Sequence, residues 1–223
     1  MKTIDYNQIE IKLLWEPFKR VMKSFSLNKE KSKILFEEFV RKYSVRGRYY
    51  HTIHHILRMV GIWEVNKNKL EDPNVVFLAI IYHDIVYNPK RSDNEEKSML
   101  YFSKNIYPFL KGNSKRFAKV SLLIMATTHG PEMLELAEDF DSQFMLDMDL
   151  EILSTRHASE YEWYRTGIRK EYGMFSDAQY KKGRKAVLER FLKRKKIYLT
   201  KDFKPDEKRA RKNLRNEIKS YLC

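Results

Sequence analysis

Cysteine is almost absent from this chain of 223 residues, since Cys223 is the only one. A single thiol cannot form a disulfide within the chain, which excludes a disulfide-stabilised fold and agrees with a reducing compartment. Glycine and proline are also scarce, at seven and six residues, and no low-complexity linker interrupts the sequence. We therefore expect residues 1–223 to form one domain with a sizeable core.

Long apolar runs are missing as well. No run approaches the ~20 apolar residues that cross a bilayer, and the N-terminal MKTIDYNQIEIK lacks the apolar centre of a signal peptide. We expect a cytoplasmic protein that does not bind membranes. There is no Gly-rich phosphate loop, G-x-S-x-G elbow or Cys-x-x-Cys pair, which disfavours the chemistries that depend on those motifs.

Positive charge, in contrast, is abundant and unevenly distributed. The formal net charge is +14, and residues 181–219 hold 17 Lys and Arg against five acids, a local net of +12. Such a segment is either a solvated helical face or a surface that attracts phosphate, in a nucleotide or in a nucleic acid.

Apolar residues recur at helical spacing along nearly the whole chain, which predicts an all-α, compact helical bundle. In the first helix, Ile9 and Leu13 belong to the predicted apolar stripe, and Pro17 is expected either to kink the helix or to mark a second helix start. Asn28 and Asp93 are predicted N-caps of later helices. The later helices are expected at about 28–43, 51–65, 73–87, 95–110, 114–129, 158–172, 177–194 and 205–222, with an acidic loop at 132–141.

The region between Asp72 and Tyr87 is the most informative part of the chain. Asp72-Pro73 predicts an N-cap and a first-turn proline, and an apolar run follows to Tyr87 with His83 and Asp84 inside it. A helix this apolar is expected to be buried. Because an imidazole and a carboxylate seldom enter a core unless they are paired or bind a metal, a compensating group is expected nearby.

Histidines and aspartates elsewhere in the chain can supply that group. On one helix, His51 and His55 would share a face about one turn (~5.4 Å) apart, whereas His54 would lie roughly 100° away. Two imidazoles and two carboxylates from three helices form a mixed nitrogen and oxygen site, which suits Mn, Fe, Co, Ni or Zn better than Ca. The further candidates are His129, Asp147 and Asp149.

His55, His83-Asp84 and Asp149 resemble the H…HD…D signature of the HD superfamily of metal-dependent phosphohydrolases, whose members are all-helical. Tyr50-His51-x-x-x-His55-Ile56-x-x-x-Val60 is similar to a stretch in cyclic-nucleotide phosphodiesterases of the same superfamily. Residues from roughly 45 to 218 are similar to a bacterial family of predicted HD phosphohydrolases of uncharacterised substrate. The motifs of that likeness are Tyr50-His51-Thr52, Tyr82-His83-Asp84-Ile85-Val86-Tyr87, Asp93-Asn94-Glu95-Glu96-Lys97-Ser98, Ala126-Thr127-Thr128-His129, Leu146-Asp147-Met148-Asp149-Leu150, Ile168-Arg169-Lys170-Glu171-Tyr172, and Glu207, Ala210-Arg211 and Asn213.

The resemblance implies a set of metal ligands and a domain of HD type. Its core would lie at about residues 45–155, with the basic C-terminal helices at about 156–223 packed on it. One or two divalent ions (Mn, Fe, Co, Ni, Zn or Mg) are implied, with Asp84 placed to bridge two, and His129 is a candidate for a second metal or for substrate phosphate. The implied ligands are His55, His83, Asp84 and Asp149, with Asp147 as the alternative to Asp149.

The resemblance also implies catalytic roles, which it assigns to His51, Asp84 and Glu95. His51 would protonate the leaving oxygen as general acid, a contribution of ~10²–10⁴-fold. Glu95, or alternatively Glu96, would orient the attacking water, although either carboxylate also suits the first turn of a helix. Arg48 and Arg169 are the predicted contacts to substrate phosphate, because a guanidinium matches phosphate oxygens bidentately.

The leading hypothesis is a metal-dependent phosphohydrolase, in which metal-activated water attacks a phosphate ester of a small nucleotide-like substrate. A cyclic-nucleotide phosphodiesterase is an alternative, and only the spacing of His51 and His55 supports it. The basic segment supports a helical nucleic-acid-binding protein with a structural or degenerate metal site. A monomer and a homodimer both remain open.

Overall fold

The computed structural model describes residues 8–109 and 114–221, so Leu110, Leu222 and Cys223 lie outside the described residues. Eleven α-helices and no β-strand occur in the described segments, which confirms the all-α prediction. The helices are α1 (Gln8–Ser24), α2 (Lys29–Tyr43), α3 (Ile53–Asn66), α4 (Pro73–Tyr82), α5 (Asn94–Asn105), α6 (Ser114–Ala126), α7 (Pro131–Leu136), α8 (Phe140–Asp149), α9 (Ala158–Glu171), α10 (Asp177–Lys193) and α11 (Glu207–Lys219).

The chain divides into two compact units, Met1–Met145 and Leu146–Cys223, with the boundary inside α8. The described parts of these ranges are called the first unit and the second unit below. The expected single domain, with its core at about 45–155, stays a prediction. No described helix combines the length and the apolar character needed to cross a bilayer.

Helix α4 lies at the centre of the first unit, where it packs against α1, α3, α5 and α6. Every side chain from Val75 to Tyr82 is buried, as expected for a helix without a polar face. Its start is as predicted, because the Asp72 carboxylate accepts a hydrogen bond from the Val75 amide (3.2 Å) and Pro73 occupies the first turn. The carboxylate of Asp141 also accepts hydrogen bonds from the amides before α4, which fixes the entry of this helix.

The first two helices pack against each other, and α1 also contacts α3 and α4. In α1, Leu14 and Phe18 are fully buried, whereas Ile9 and Leu13 are 65% and 61% exposed, so the predicted stripe was wrong at those two positions. The helix continues through Pro17. The Asn28 side chain accepts a hydrogen bond from the backbone of α2 (2.9 Å), which confirms it as an N-cap.

Two helix boundaries differ from the predictions, and both affect candidate site residues. Helix α3 begins at Ile53, because the Thr52 side chain caps it by accepting a hydrogen bond from an amide two residues later. Helix α4 ends at Tyr82, five residues earlier than predicted. His51, His83 and Asp84 therefore lie in turns at helix ends, and His51 does not share a helix with His55.

Three smaller differences concern the middle of the chain. The predicted acidic loop contains the short helix α7, which begins at Pro131, and α8 begins at Phe140. Helix α5 ends at Asn105, earlier than predicted. Asp93 is the N-cap of α5 by position, but its side chain makes no capping hydrogen bond and pairs with Arg91.

A buried ion pair joins α10 and α11 in the second unit. Glu217 accepts hydrogen bonds from Arg184 Nε (2.8 Å) and from the hydroxyls of Tyr161 and Tyr221 (2.7 Å each). Arg184 also donates to the Tyr164 hydroxyl (2.8 Å). Part of the basic segment thus serves packing within the unit.

Candidate metal centre

Three side chains of the first unit converge on one point. His55 is the third residue of α3, His83 is the C-cap of α4, and Asp84 follows it. Their ligand atoms all lie within 4.8 Å of one another, and the residues are 3%, 1% and 8% exposed. The sequence predicted each of these three as a ligand, and the fold brings them together.

The separations within this group suit a shared ion. His55 Nε2 lies 3.3 Å from His83 Nε2, which lies 3.2 Å from Asp84 Oδ2. Ligands about 2.1 Å from an ion, at angles near 90–110°, would be about 3.0–3.4 Å from one another. These two separations therefore match those of ligands that share one transition-metal ion.

The orientation of His83 favours metal binding. Its Nδ1 lies 3.0 Å from the carbonyl oxygen of Ile80, which can only accept a hydrogen bond, so Nδ1 carries the proton. In the neutral ring, Nε2 then presents its lone pair toward His55 and Asp84. A carbonyl acceptor behind the ring is the usual partner of a metal-binding histidine.

Every carbonyl in the last turn of α4 accepts a hydrogen bond. A helix C-terminus leaves four carbonyls without partners inside the helix, and a buried one is costly to leave unsatisfied. The His83 amide donates to the carbonyl of Ala79 and the His83 ring to that of Ile80. The Tyr43 hydroxyl donates to the carbonyl of Ile81, and the Ile85 amide donates to that of Tyr82. These hydrogen bonds hold the turn that carries His83 and Asp84.

His51 lies at the edge of the cluster. Its Nε2 is 4.0 Å from Asp84 Oδ2, and its side chain is 21% exposed. Its ring centroid is 4.4 Å from that of Tyr87 and 6.0 Å from that of His55. His54 points elsewhere, with Nδ1 3.2 Å from Glu10 Oε1, which confirms that it is separate from His55.

The predicted phosphate contact Arg48 is 5% exposed and lies beside the cluster. Nη1 donates to the carbonyl oxygens of His51 (3.1 Å) and Asp84 (2.8 Å), and Nη2 donates to that of Ile85 (3.1 Å). Its phosphate role stays a prediction. Nothing in the sequence indicated its contacts to Asp84 and Ile85, because these residues lie 36 and 37 positions further along the chain.

Arg169, the second predicted phosphate contact, belongs to the second unit. Its guanidinium donates to the Asp177 carboxylate (2.6 Å) and to the carbonyls of Tyr172 and Phe175, and it lies over the ring of Tyr180. These contacts stabilise the turn between α9 and α10. Phosphate binding by Arg169 also stays a prediction.

Three further candidates of the first unit lie outside the three-residue group found among the described side chains. Glu95 is partly exposed in the first turn of α5, and Glu96 is exposed. His129 is buried after α6 with φ +53°, in the left-handed region. Their predicted roles in water orientation and in second-metal binding remain untested.

The two candidate aspartates of α8 have different surroundings within the second unit. Asp147 is fully buried and accepts hydrogen bonds from the Leu199 amide (2.8 Å) and from the amide and hydroxyl of Thr200 (2.8 and 2.6 Å). Burial raises the pKa of Asp147 to about 6, against the opposing effect of these donors. Asp149 is partly exposed and lies near Tyr164. Metal binding by Asp149, or alternatively by Asp147, stays a prediction.

The resemblance to the HD superfamily stays a prediction from the sequence motifs. Comparison with known proteins identified no relative of this chain. No family model, no curated protein and no solved structure matches the chain.

Proposed function

We propose that this protein is a metal-dependent phosphohydrolase of HD type, acting on a small, nucleotide-like phosphate ester. One observation carries the proposal: His55 Nε2, His83 Nε2 and Asp84 Oδ2 converge in a buried cluster with the spacing of metal ligands. Buried imidazoles and carboxylates seldom gather unless an ion or a partner compensates them.

The ligand set indicates the chemistry. Two imidazole nitrogens with one carboxylate suit Mn, Fe, Co, Ni or Zn, and Mg is also considered because the substrate carries phosphate. A bound divalent ion supplies Lewis acidity and lowers the pKa of a water ligand to about 7. The motif adds Asp149 as a further ligand, and substitution of that residue tests the prediction.

His51 is the proposed general acid. Its side chain is partly exposed while the ligands are buried, so a substrate can reach its imidazole. The ring of Tyr87 and the Asp84 carboxylate restrict the orientation of the imidazole. A protonated His51 can donate to the leaving oxygen without giving up a ligand of the ion.

Metal content and phosphate release test this function together. We would measure metal in wild type, in Asp84→Asn and in the control Asp202→Asn, an exposed carboxylate. Phosphate release would then be followed over a panel of nucleotides, cyclic nucleotides included, with added Mn²⁺. Near-stoichiometric metal and turnover in wild type and control, both lost in Asp84→Asn, would support the proposal. A folded wild type without metal or turnover would overturn it.

A second candidate function, nucleic-acid binding, is favoured by the outer face of α11. Basic residues recur there every three or four positions, so they share one face, while Ala210 and Leu214 are buried on the other. A steep fall of polynucleotide affinity with salt would favour this function. The exposed basic residues of this face are Lys208, Lys212, Arg215 and Lys219.

A further inference from the structure

We infer that Arg48 is a positioning residue, which holds the turn of His51 against the turn of His83 and Asp84. The inference deepens the proposed function and rests on it. It also gives Arg48 a role other than the phosphate contact that the sequence predicted.

The hydrogen bonds of Arg48 join the two turns directly. Nη1 donates to His51 O (3.1 Å) and to Asp84 O (2.8 Å), and Nη2 donates to Ile85 O (3.1 Å). One side chain therefore connects the segment before α3 with the segment after α4. The first segment carries the proposed acid, and the second carries two proposed ligands.

The shape of the guanidinium suits this task. Arginine presents its donors in a rigid planar fork, whereas a lysine ammonium is a compact point charge. A lysine at position 48 could satisfy one or two of the three carbonyls, and the others would lose their donor. Because Arg48 is buried, a carbonyl left without a donor would be costly, and the turn would rearrange.

Two tyrosines hold the guanidinium in place. Its central carbon lies 4.7 Å from the ring centroid of Tyr43 and 5.3 Å from that of Tyr87. Tyr43 also donates its hydroxyl to the carbonyl of Ile81 (3.1 Å), in the last turn of α4. On its other side, Tyr87 contacts the ring of His51, so displacement of Arg48 would move both the backbone and the ring of the proposed acid.

Positioning and phosphate binding predict different defects. Arg48 donates to three backbone carbonyls and is 5% exposed, so a substrate phosphate would have to displace those bonds. If Arg48 positions the site, its replacement should weaken metal binding itself, before any substrate is present. If it binds phosphate, metal affinity should be unchanged and KM should rise.

The test compares Arg48→Lys with Arg46→Lys, a matched change at an exposed arginine of the same loop. Each metal-depleted protein would be titrated with Mn²⁺ by calorimetry and with Co²⁺ by visible absorption, and circular dichroism would check the helical fold. We expect Arg48→Lys to bind Mn²⁺ about 10–100-fold more weakly, as for other partners that orient ligands, with an altered Co²⁺ spectrum. Arg46→Lys should match wild type.

A second pair of variants covers the case in which Arg48→Lys does not fold. Tyr87→Leu removes a ring that contacts Arg48 and His51, and Tyr87→Phe keeps that ring. We expect weaker Mn²⁺ binding in Tyr87→Leu and wild-type binding in Tyr87→Phe. Wild-type Mn²⁺ affinity in Arg48→Lys, or in Tyr87→Leu if the former is unfolded, would overturn the positioning role and leave the proposed function intact. No Mn²⁺ or Co²⁺ binding by wild type would overturn both.

Discussion

The imidazole of His83 is hydrogen-bonded to the carbonyl oxygen of Ile80, three residues earlier, at 3.0 Å. This contact uses a carbonyl that the end of α4 leaves without a partner inside the helix. It also fixes the ring so that Nε2 faces His55, 3.3 Å away. The termination of one helix therefore orients a proposed metal ligand.

The adjacent histidines of α3 should differ sharply in their importance for metal binding. His55→Ala removes a nitrogen of the cluster, and we expect it to abolish metal retention while the helical fold remains. His54→Ala is the matched control, because His54 is exposed and lies near Glu10. Metal analysis after dialysis is the measurement, and equal retention in both variants would contradict the proposed ligand set.

His51→Ala should keep the metal and lose rate. The ring lies beside Asp84 and outside the three ligands, so its removal leaves the ion's donors in place. We expect kcat to fall by ~10²–10⁴-fold, the usual contribution of a general acid. The measurement pairs metal content with turnover of the best substrate of the panel. Loss of metal from His51→Ala would show that His51 is a ligand and not the acid.

The two aspartates of α8 should separate stability from metal binding. Asp147→Asn replaces a carboxylate oxygen that accepts from Leu199 or Thr200 by an amide nitrogen, which can only donate. Two donors then face each other, and we expect a loss of about 1–3 kcal/mol in unfolding free energy. Metal content should remain. Asp149→Asn should instead reduce metal content, with a smaller loss of stability because this residue is partly exposed.

Denaturant unfolding and metal analysis of both variants make this comparison. Metal loss in Asp147→Asn with full retention in Asp149→Asn would reverse the assignment of the ligand.

The buried pair of Arg184 and Glu217 should make stability depend on pH. Burial alone would raise the pKa of Glu217, but the charge and hydrogen bonds of Arg184 outweigh it and hold that pKa below its ordinary value of 4.5. Because the folded pKa is the lower one, the carboxylate's contribution is complete above about pH 4.5 and is lost as the pH falls through the folded pKa.

Glu217→Gln leaves Arg184 buried without its counter-charge, and we expect a loss of about 3–5 kcal/mol at pH 7. The difference from wild type should shrink as the pH falls below about 4.5. Glu189→Gln is the control, since the side chains of Lys185 and Glu189 are 42% and 46% exposed and this pair should contribute little. Thermal unfolding between pH 3 and 7 is the measurement, and a constant difference across that range would contradict the shifted pKa.

Local rules explain where sequence reasoning succeeded. Asp72-Pro73 and Asn28 were predicted correctly as helix starts, because capping depends on neighbouring residues alone. The same rules failed at the end of α4, where the apolar sequence continues past Tyr82 but the backbone leaves the helix. No Gly or Pro marks that end, and part of what holds the turn comes from distant residues, because Tyr43 donates to the carbonyl of Ile81 and Arg48 donates to that of Asp84.

The sequence by itself determined the all-helical fold and the residue types of a nitrogen and oxygen site, because both follow from spacing and side-chain chemistry. Only the tertiary structure decided which atoms meet. It brought the Nε2 atoms of His55 and His83 within 3.3 Å and made Arg48 a donor to both turns. Contacts of this kind join segments about 30 residues apart, and they form only when the packing of buried helices sets the distance between their ends.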